Sequence, residues 1–205
     1  FDMPDGSMIR LTIAHYYTPS GRCIQKPYAK GDREDYAMDI EKRFKNGELY
    51  SADSIHFADS LKYQTLRRHR TVYGGGGIMP DEFVPLDTTQ FTKLHRQIVA
   101  RSLIINATLR YVDQHRTELK QRYTSFDDYL ANYHVPQAMT DSIFAEAERL
   151  KLKPCTKEER DKTLPMLTLQ LKALIARDIW DMNEYYRIMN ESNRIVAKAV
   201  EIAGK

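Results

Sequence analysis

The segment from Met8 to Arg22 constrains this chain more than any other. Along Met8 to Tyr17, Ile9, Leu11 and Ile13 fall on one side of an extended backbone, and Met8, Arg10, Thr12 and Ala14 fall on the other. That two-residue period predicts a strand. Pro19 cannot donate to a sheet ladder, and Gly21 accepts backbone angles that a side chain resists. Thr18-Pro19-Ser20-Gly21-Arg22 therefore predicts a turn at the strand's end. Asp5-Gly6 upstream is a hairpin signal. Only Phe1 to Pro4 precede it, so the first arm is short, and the first residue is not Met. The expectation is a portion of a larger protein.

With 205 residues the chain can hold one large domain or two small ones. Its 42% hydrophobic and 29% charged residues suit an ordered globular protein. The formal net charge of +3 does not by itself imply a polyanionic partner. No apolar run reaches the ~18 residues that a membrane-spanning helix needs. No secretion signal is visible, which says nothing about compartment in a portion of a larger chain. Cys23 and Cys155 have neither C-x-x-C nor metal-ligand spacing and read as two unpaired thiols.

Cys23-Ile24-Gln25 offers the start of another strand. From Lys26 to Tyr73 the composition shifts, and the stretch reads as an insertion. Lys30 to Asp35 is charged and turn-like, Tyr36 to Phe44 fits a short helix, and Asn46-Gly47 marks a tight turn. Ser60 to Arg68 fits a strand or a helix equally. Gly74 to Gly77 lack the Lys-Ser or Lys-Thr that a phosphate loop requires, so they predict a closely packed passage into a short strand.

Helical spacing takes over after Asp87. Phe91, Leu94, Ile98, Ile105, Leu109 and Val112 predict one apolar face, on a single helix or on two meeting near Arg101-Ser102. Ser125 is placed to cap a helix carrying Phe126, Tyr129, Leu130 and Tyr133. Pro136 suits the first turn of the next, with Ile143, Phe144, Ala147 and Leu150 inward. Thr156 and Glu159 have capping-box spacing. Pro165 either kinks the following stretch or starts a new helix, whose stripe runs Leu167, Leu171, Leu174, Ile175 and Ile179 to Trp180. Tyr185, Tyr186, Ile188 and Met189 follow. Ser192 is the expected cap of a last helix bearing Ile195, Val196, Ala199 and Ile202. The predicted fold class is α+β, mostly helical: a small β portion in 1–87 with an insertion at about 26–73, then an all-α region in 88–205.

Chemistry is sparse. Histidines at 15, 56, 69, 95, 115 and 134 show no zinc-hydrolase spacing, so no metal ligand is assigned. Ser20 lies near His15 and Lys26 in sequence, but Pro-Ser-Gly is ordinary turn chemistry and nothing places a base or oxyanion donors beside it. Lys62, Arg67, Arg68, His69 and Arg70 form the densest basic cluster, flanked by Tyr63 and Tyr73. Such a patch grips phosphates when neighbouring rings stack on bases. Residues 1–87, however, carry 12 Lys/Arg against 13 Asp/Glu, which argues for a solvated face and against nucleic acid. No catalytic, cofactor-binding or metal residue is assigned from these patterns.

Thr18 to Arg22, its continuation Cys23-Ile24-Gln25, and Gly77-Ile78-Met79-Pro80-Asp81 with Val84-Pro85 together resemble the C-terminal processing peptidases, or tail-specific proteases. The helical tail is similar to the C-terminal region of the larger envelope-associated bacterial members. The resemblance implies a serine endopeptidase with a Ser–Lys pair, usually with a PDZ domain that captures a substrate's C-terminus, in the periplasm or cell envelope. Such a lysine needs its pKa lowered from about 10.4 toward roughly 7 or 8 by desolvation before it can accept the serine proton. Both catalytic residues of the family precede the hairpin, and no residue here matches either. The implied role is a scaffold or substrate-access region, inactive alone, which meets protein or peptide substrate through upstream domains. A second expectation, resting on Tyr129, Tyr133, Trp180, Tyr185 and Tyr186, is a helical module for self-association or an adaptor. The competing expectation is that these rings fill the core. Nucleic-acid binding through Lys62 to Arg70 is the weakest of the three.

Overall fold

The computed structural model describes residues 1–27, 31, 33–87 and 89–204. Lys30 and Asp32 of the expected charged turn, and Thr88 beside the expected division, lie outside them. The fold is α+β and mostly helical, and among the described residues its one sheet has two short antiparallel strands. The chain divides into two compact units, Phe1–Leu86 and Asp87–Lys205.

The first unit opens with two turns of the same construction. In Met3-Pro4-Asp5-Gly6-Ser7, Met3 N donates to Ser7 O at 2.8 Å and Gly6 N to Met3 O at 3.0 Å. In Thr18-Pro19-Ser20-Gly21-Arg22, the matching bonds are Thr18 N to Arg22 O at 2.9 Å and Gly21 N to Thr18 O at 2.8 Å. Gly6 and Gly21 have φ of +82° and +81°, the left-handed position that a three-residue hairpin loop demands of its last residue. These turns bracket the segment expected to be a strand, but the strand itself does not form. Single bridges, Asp2 with Met8 and Tyr17 with Cys23, mark its ends. Between them, residues 10–16 make no backbone hydrogen bond to a described residue. The reason is the absence of a covering layer: Leu11 is 65% exposed and Ile13 81%. A lone strand gains no burial or ladder to offset the entropy of ordering it.

Two short helices follow, α1 (Arg33–Ala37) and α2 (Asp39–Lys45). The tight turn expected at Asn46-Gly47 closes α2. Gly47, at φ +82°, donates to Phe44 O, and Glu48 N reaches back to Arg43 O, satisfying two carbonyls of the last turn. The ambiguous stretch after Ser60 resolves as a hairpin. β1 (Lys62–Gln64) pairs with β2 (Thr71–Tyr73) in the register Lys62 to Tyr73, Tyr63 to Val72 and Gln64 to Thr71. The glycines then run tightly beside Cys23 and Ile24, with Gly75 N donating to Cys23 O and Gly77 N to Ile24 O. A side chain at Gly74 would place its Cβ 2.9 Å from Cys23 O, so only glycine fits there. The short strand expected after the glycines is absent, since residues 78–86 carry no strand. Among the described residues of this unit no large apolar side chain is buried.

The second unit is all helical and holds the hydrophobic core. Its helices are α3 (Lys93–Ala100), α4 (Leu103–Arg122), α5 (Phe126–Asn132), α6 (Gln137–Arg149), α7 (Lys157–Ile179), α8 (Met182–Met189) and α9 (Arg194–Ala203). The stretch from Phe91 to Val112 is two helices, broken where Ser102 takes φ +57°. That break rephases the second helix. Ile104, Ala107, Thr108 and Val112 face inward, while Ile105 and Leu109, expected on the core side, are exposed. α7 is the central helix, buried along Leu167, Leu171, Leu174, Ile175 and Ile179 as its stripe implies, and flanked most extensively by α4 and α8. Pro165 lies inside it. Ser125 caps α5 and Thr156 caps α7, as their positions predict. The cap of α9 is Asn193, one residue beyond the expected Ser192, because its Oδ1 accepts from both Ile195 N and Val196 N. No residue of α9 is buried: of its expected inward face Val196 is half-buried, while Ile195, Ala199 and Ile202 are exposed.

Candidate functional site

A cluster of like charges beside a concavity lies in the first unit, between the Thr18–Arg22 turn and the loop joining β1 to β2. Thr65 pins that loop. Its N–H donates to Arg70 O at 3.0 Å, its hydroxyl accepts from Arg70 N at 3.0 Å, and its carbonyl accepts from His69 N at 3.1 Å. His69 turns the corner at φ +47°. The loop tip therefore presents Leu66, Arg67 and Arg68 outward. Arg22 crosses from the other side, its Nη1 donating to Tyr73 O at 3.2 Å. The result is an open groove of about 500 Å³, with Pro19 and Leu66 as apolar walls and Arg22, Arg67, Arg68 and Arg70 around it. No carboxylate lines it. Arg70 is held by Asp81 at 2.9 and 3.2 Å. Arg67 and Arg68 have no acidic partner among the described residues.

Ser20 sits at this groove without catalytic company. Its Oγ is 3.0 Å from Thr18 Oγ1. His15 Nδ1 instead lies 3.8 Å from Cys23 Sγ, and Lys26 Nζ is bound to Asp39 at 2.7 Å. Neither sequence neighbour serves Ser20 as a base, and no third group orients His15 among the described residues. Cys23 and Cys155 are both free thiols. Of the rings flanking the basic cluster, Tyr73 is stacked on Phe57 with centroids 4.3 Å apart, and Tyr63 lies against Gly74. Neither lines the groove, so base stacking has no platform there. No group of three or more metal-ligating side chains occurs among the described residues.

In the second unit the aromatic residues singled out from the sequence are mainly core. Tyr129 and Tyr133 are buried and stacked 4.5 Å apart, and Trp180 meets Tyr129 edge-on at 5.2 Å. Burial pushes both phenols far above the ordinary tyrosine range. The Tyr129 hydroxyl donates to Lys172 O at 2.8 Å, and Lys172 Nζ donates to Leu130 O at 2.7 Å, tying α5 to α7. Tyr185 is half-buried, and of the five only Tyr186 is exposed. His95, the histidine nearest to a functional setting, is buried between α3 and α7. Its Nε2 lies 3.0 Å from Gln170 Oε1, and burial lowers its pKa. Thr92 Oγ1 meets Thr163 Oγ1 at 2.5 Å beside it. Glu159 departs from the capping box: it accepts from Leu94 N at 3.2 Å and so caps the neighbouring helix α3. These are polar joints between helices. Concavities of this unit include an open groove of about 610 Å³ lined by Lys93, Glu148 and residues 151–156, and a smaller one of about 230 Å³ between α4 and α6.

No helix among the described residues is long and apolar enough to cross a membrane. A family of unknown function (DUF8443) matches residues 94–181, from the start of α3 to the cap of α8. No curated protein and no solved structure matches the chain.

Proposed function

We propose that this chain is the C-terminal part of a bacterial serine endopeptidase of the C-terminal processing class, acting as scaffold or substrate-access region without supplying the catalytic pair. The observation that carries this reading is the segment 10–16. It alternates as a sheet strand does, is bracketed by two hairpin turns, and exposes Leu11 and Ile13 with its backbone unpaired. Burying one such side chain is worth about 1.5–3 kcal/mol, so this segment is built to receive neighbouring strands and a covering layer. The contact between Cys23-Ile24 and Gly75-Gly77 adds support, because it joins the two stretches on which the family resemblance rests. Ser20, without a base, fits a supporting role for the turn. The periplasm or cell envelope is the location that goes with this reading.

The test is a cleavage assay on C-terminal tail peptides. The purified chain alone should hydrolyse none, and a fluorophosphonate should leave Ser20 unlabelled. Mixed with a peptidase segment that carries the nucleophilic serine and the lysine, the chain should restore cleavage. Hydrolysis by the chain alone, lost in Ser20→Ala, would overturn the proposal.

A second reading, an interaction module in the helical unit, rests on α9. Ile195, Ala199 and Ile202 share one face of that helix at i, i+4 and i+7, and all are exposed. If the chain self-associates through this face, Ile195→Glu will convert its light-scattering mass from a dimer's to a monomer's. A monomeric mass for the unmodified chain would remove self-association and leave only an adaptor.

A further inference from the structure

The groove between the Thr18–Arg22 turn and the β1–β2 loop has a chemistry of its own, and it does not depend on the peptidase reading. Its four guanidinium groups each present a planar fork of N–H donors and no acceptor. Arg22 and Arg70 are anchored by Tyr73 O and Asp81 and set the two sides. Arg67 and Arg68 are left with no acidic partner among the described residues, on a loop tip that Thr65 and His69 hold in shape. Between them lie Leu66, 68% exposed, and Pro19. Guanidinium forks match carboxylates and phosphates equally well, so the walls decide between ligands. A nucleic acid needs ring faces for its bases and a longer basic track. This groove offers no aromatic lining, and the surrounding sequence is balanced in charge.

We propose that the groove binds an acidic peptide segment, with side-chain carboxylates on Arg67 and Arg68 and an intervening apolar side chain against Leu66 and Pro19. The probe is a fluorescein-labelled eight-residue peptide of alternating Leu and Glu, capped at both ends so that only side-chain carboxylates are present. Its binding to the full 205-residue chain is read by fluorescence anisotropy. The Leu/Glu peptide should bind and should weaken as salt rises from about 50 to 300 mM. Leu/Gln and Leu/Lys counterparts should not bind. In Arg67→Gln/Arg68→Gln the affinity should fall about fivefold to tenfold, as expected for two exposed ion pairs. Lys62→Gln, outside the groove, should leave it unchanged. Arg67→Glu/Arg68→Glu should reverse the preference toward the Leu/Lys peptide, which keeps the test valid if the neutral variant is only weakly altered. Absence of binding, equal binding of the Leu/Gln peptide, unchanged affinity in the double variants, or tighter binding of a single-stranded oligonucleotide would each overturn the proposal.

Discussion

His95 is 2% exposed, and its ring Nε2 lies 3.0 Å from the carboxamide oxygen of Gln170. Burial disfavours the imidazolium, so the folded protein holds this ring neutral below the pH at which the unfolded chain takes up a proton. The unfolded state then binds more protons as pH falls. The stability contributed by the neutral ring is complete above the ordinary histidine value and is lost as pH drops through the lowered folded value. Trp180 is the chain's single tryptophan and lies in the helical unit, so its fluorescence reports that unit's unfolding. The urea midpoint should fall between about pH 7.5 and pH 5, and His95→Gln should flatten that dependence. An unchanged slope in the variant would assign the pH effect to another group. At Tyr129 two changes separate packing from hydrogen bonding. Tyr129→Phe removes only the bond to Lys172 O and should cost about 1 kcal/mol. Tyr129→Ala empties a fully buried site and should cost about 3–5 kcal/mol.

Helix ends govern how the elements of the second unit are joined and phased. α3 starts with Thr92 Oγ1 accepting from His95 N and Glu159 Oε1 accepting from Leu94 N, so the first turn of one helix is satisfied from the first turn of another. Glu159→Ala should lower the stability of the helical unit by about 1–3 kcal/mol, well beyond an ordinary surface change, because it leaves a backbone donor unpaired. Ser102→Gly should raise it by about 0.5–1 kcal/mol, since the left-handed backbone there strains any side chain while glycine loses only entropy. Both shifts are readable in urea melts of Trp180 fluorescence. The same two residues mark where the sequence was legible and where it was not. The stripe on α7 and the caps at Ser125 and Thr156 depend on neighbours within one turn, and these could be read directly. The inward face of α4 could not, because a single left-handed residue at Ser102 rotates everything after it and moves Ile105 and Leu109 outward. Glu159 was visible as a box residue, but its true partner lies 65 positions away. The arginine groove escaped for a similar reason. The Ser20 turn and the Arg67–Arg70 cluster were each conspicuous, but only the fold brings them together, through the contact of Arg22 with Tyr73.

Across the whole chain the two units differ in kind. Asp87–Lys205 encloses a continuous core from Leu94 to Ile188, with aromatic rings from α5 and Trp180 interlocked at one end. Among its described residues Phe1–Leu86 is held by turns, glycine contacts, a short hairpin and ion pairs, and its large apolar side chains stay accessible. On the proposed scaffold reading, the two hairpin turns bracket an alternating segment that joins a wider sheet. In that role Ile13→Asp, at an 81% exposed position, changes the stability of the isolated chain by less than about 0.5 kcal/mol. It should nevertheless abolish any activity that depends on docking to a peptidase core. The most direct measurement is therefore cleavage of a C-terminal tail peptide by this chain mixed with a processing-peptidase segment that carries the serine and lysine. A scaffold role predicts no cleavage by either part alone, cleavage by the mixture, and loss of that cleavage with Ile13→Asp but not with Ser20→Ala. Cleavage by the chain alone, or a mixture indifferent to Ile13→Asp, would contradict it.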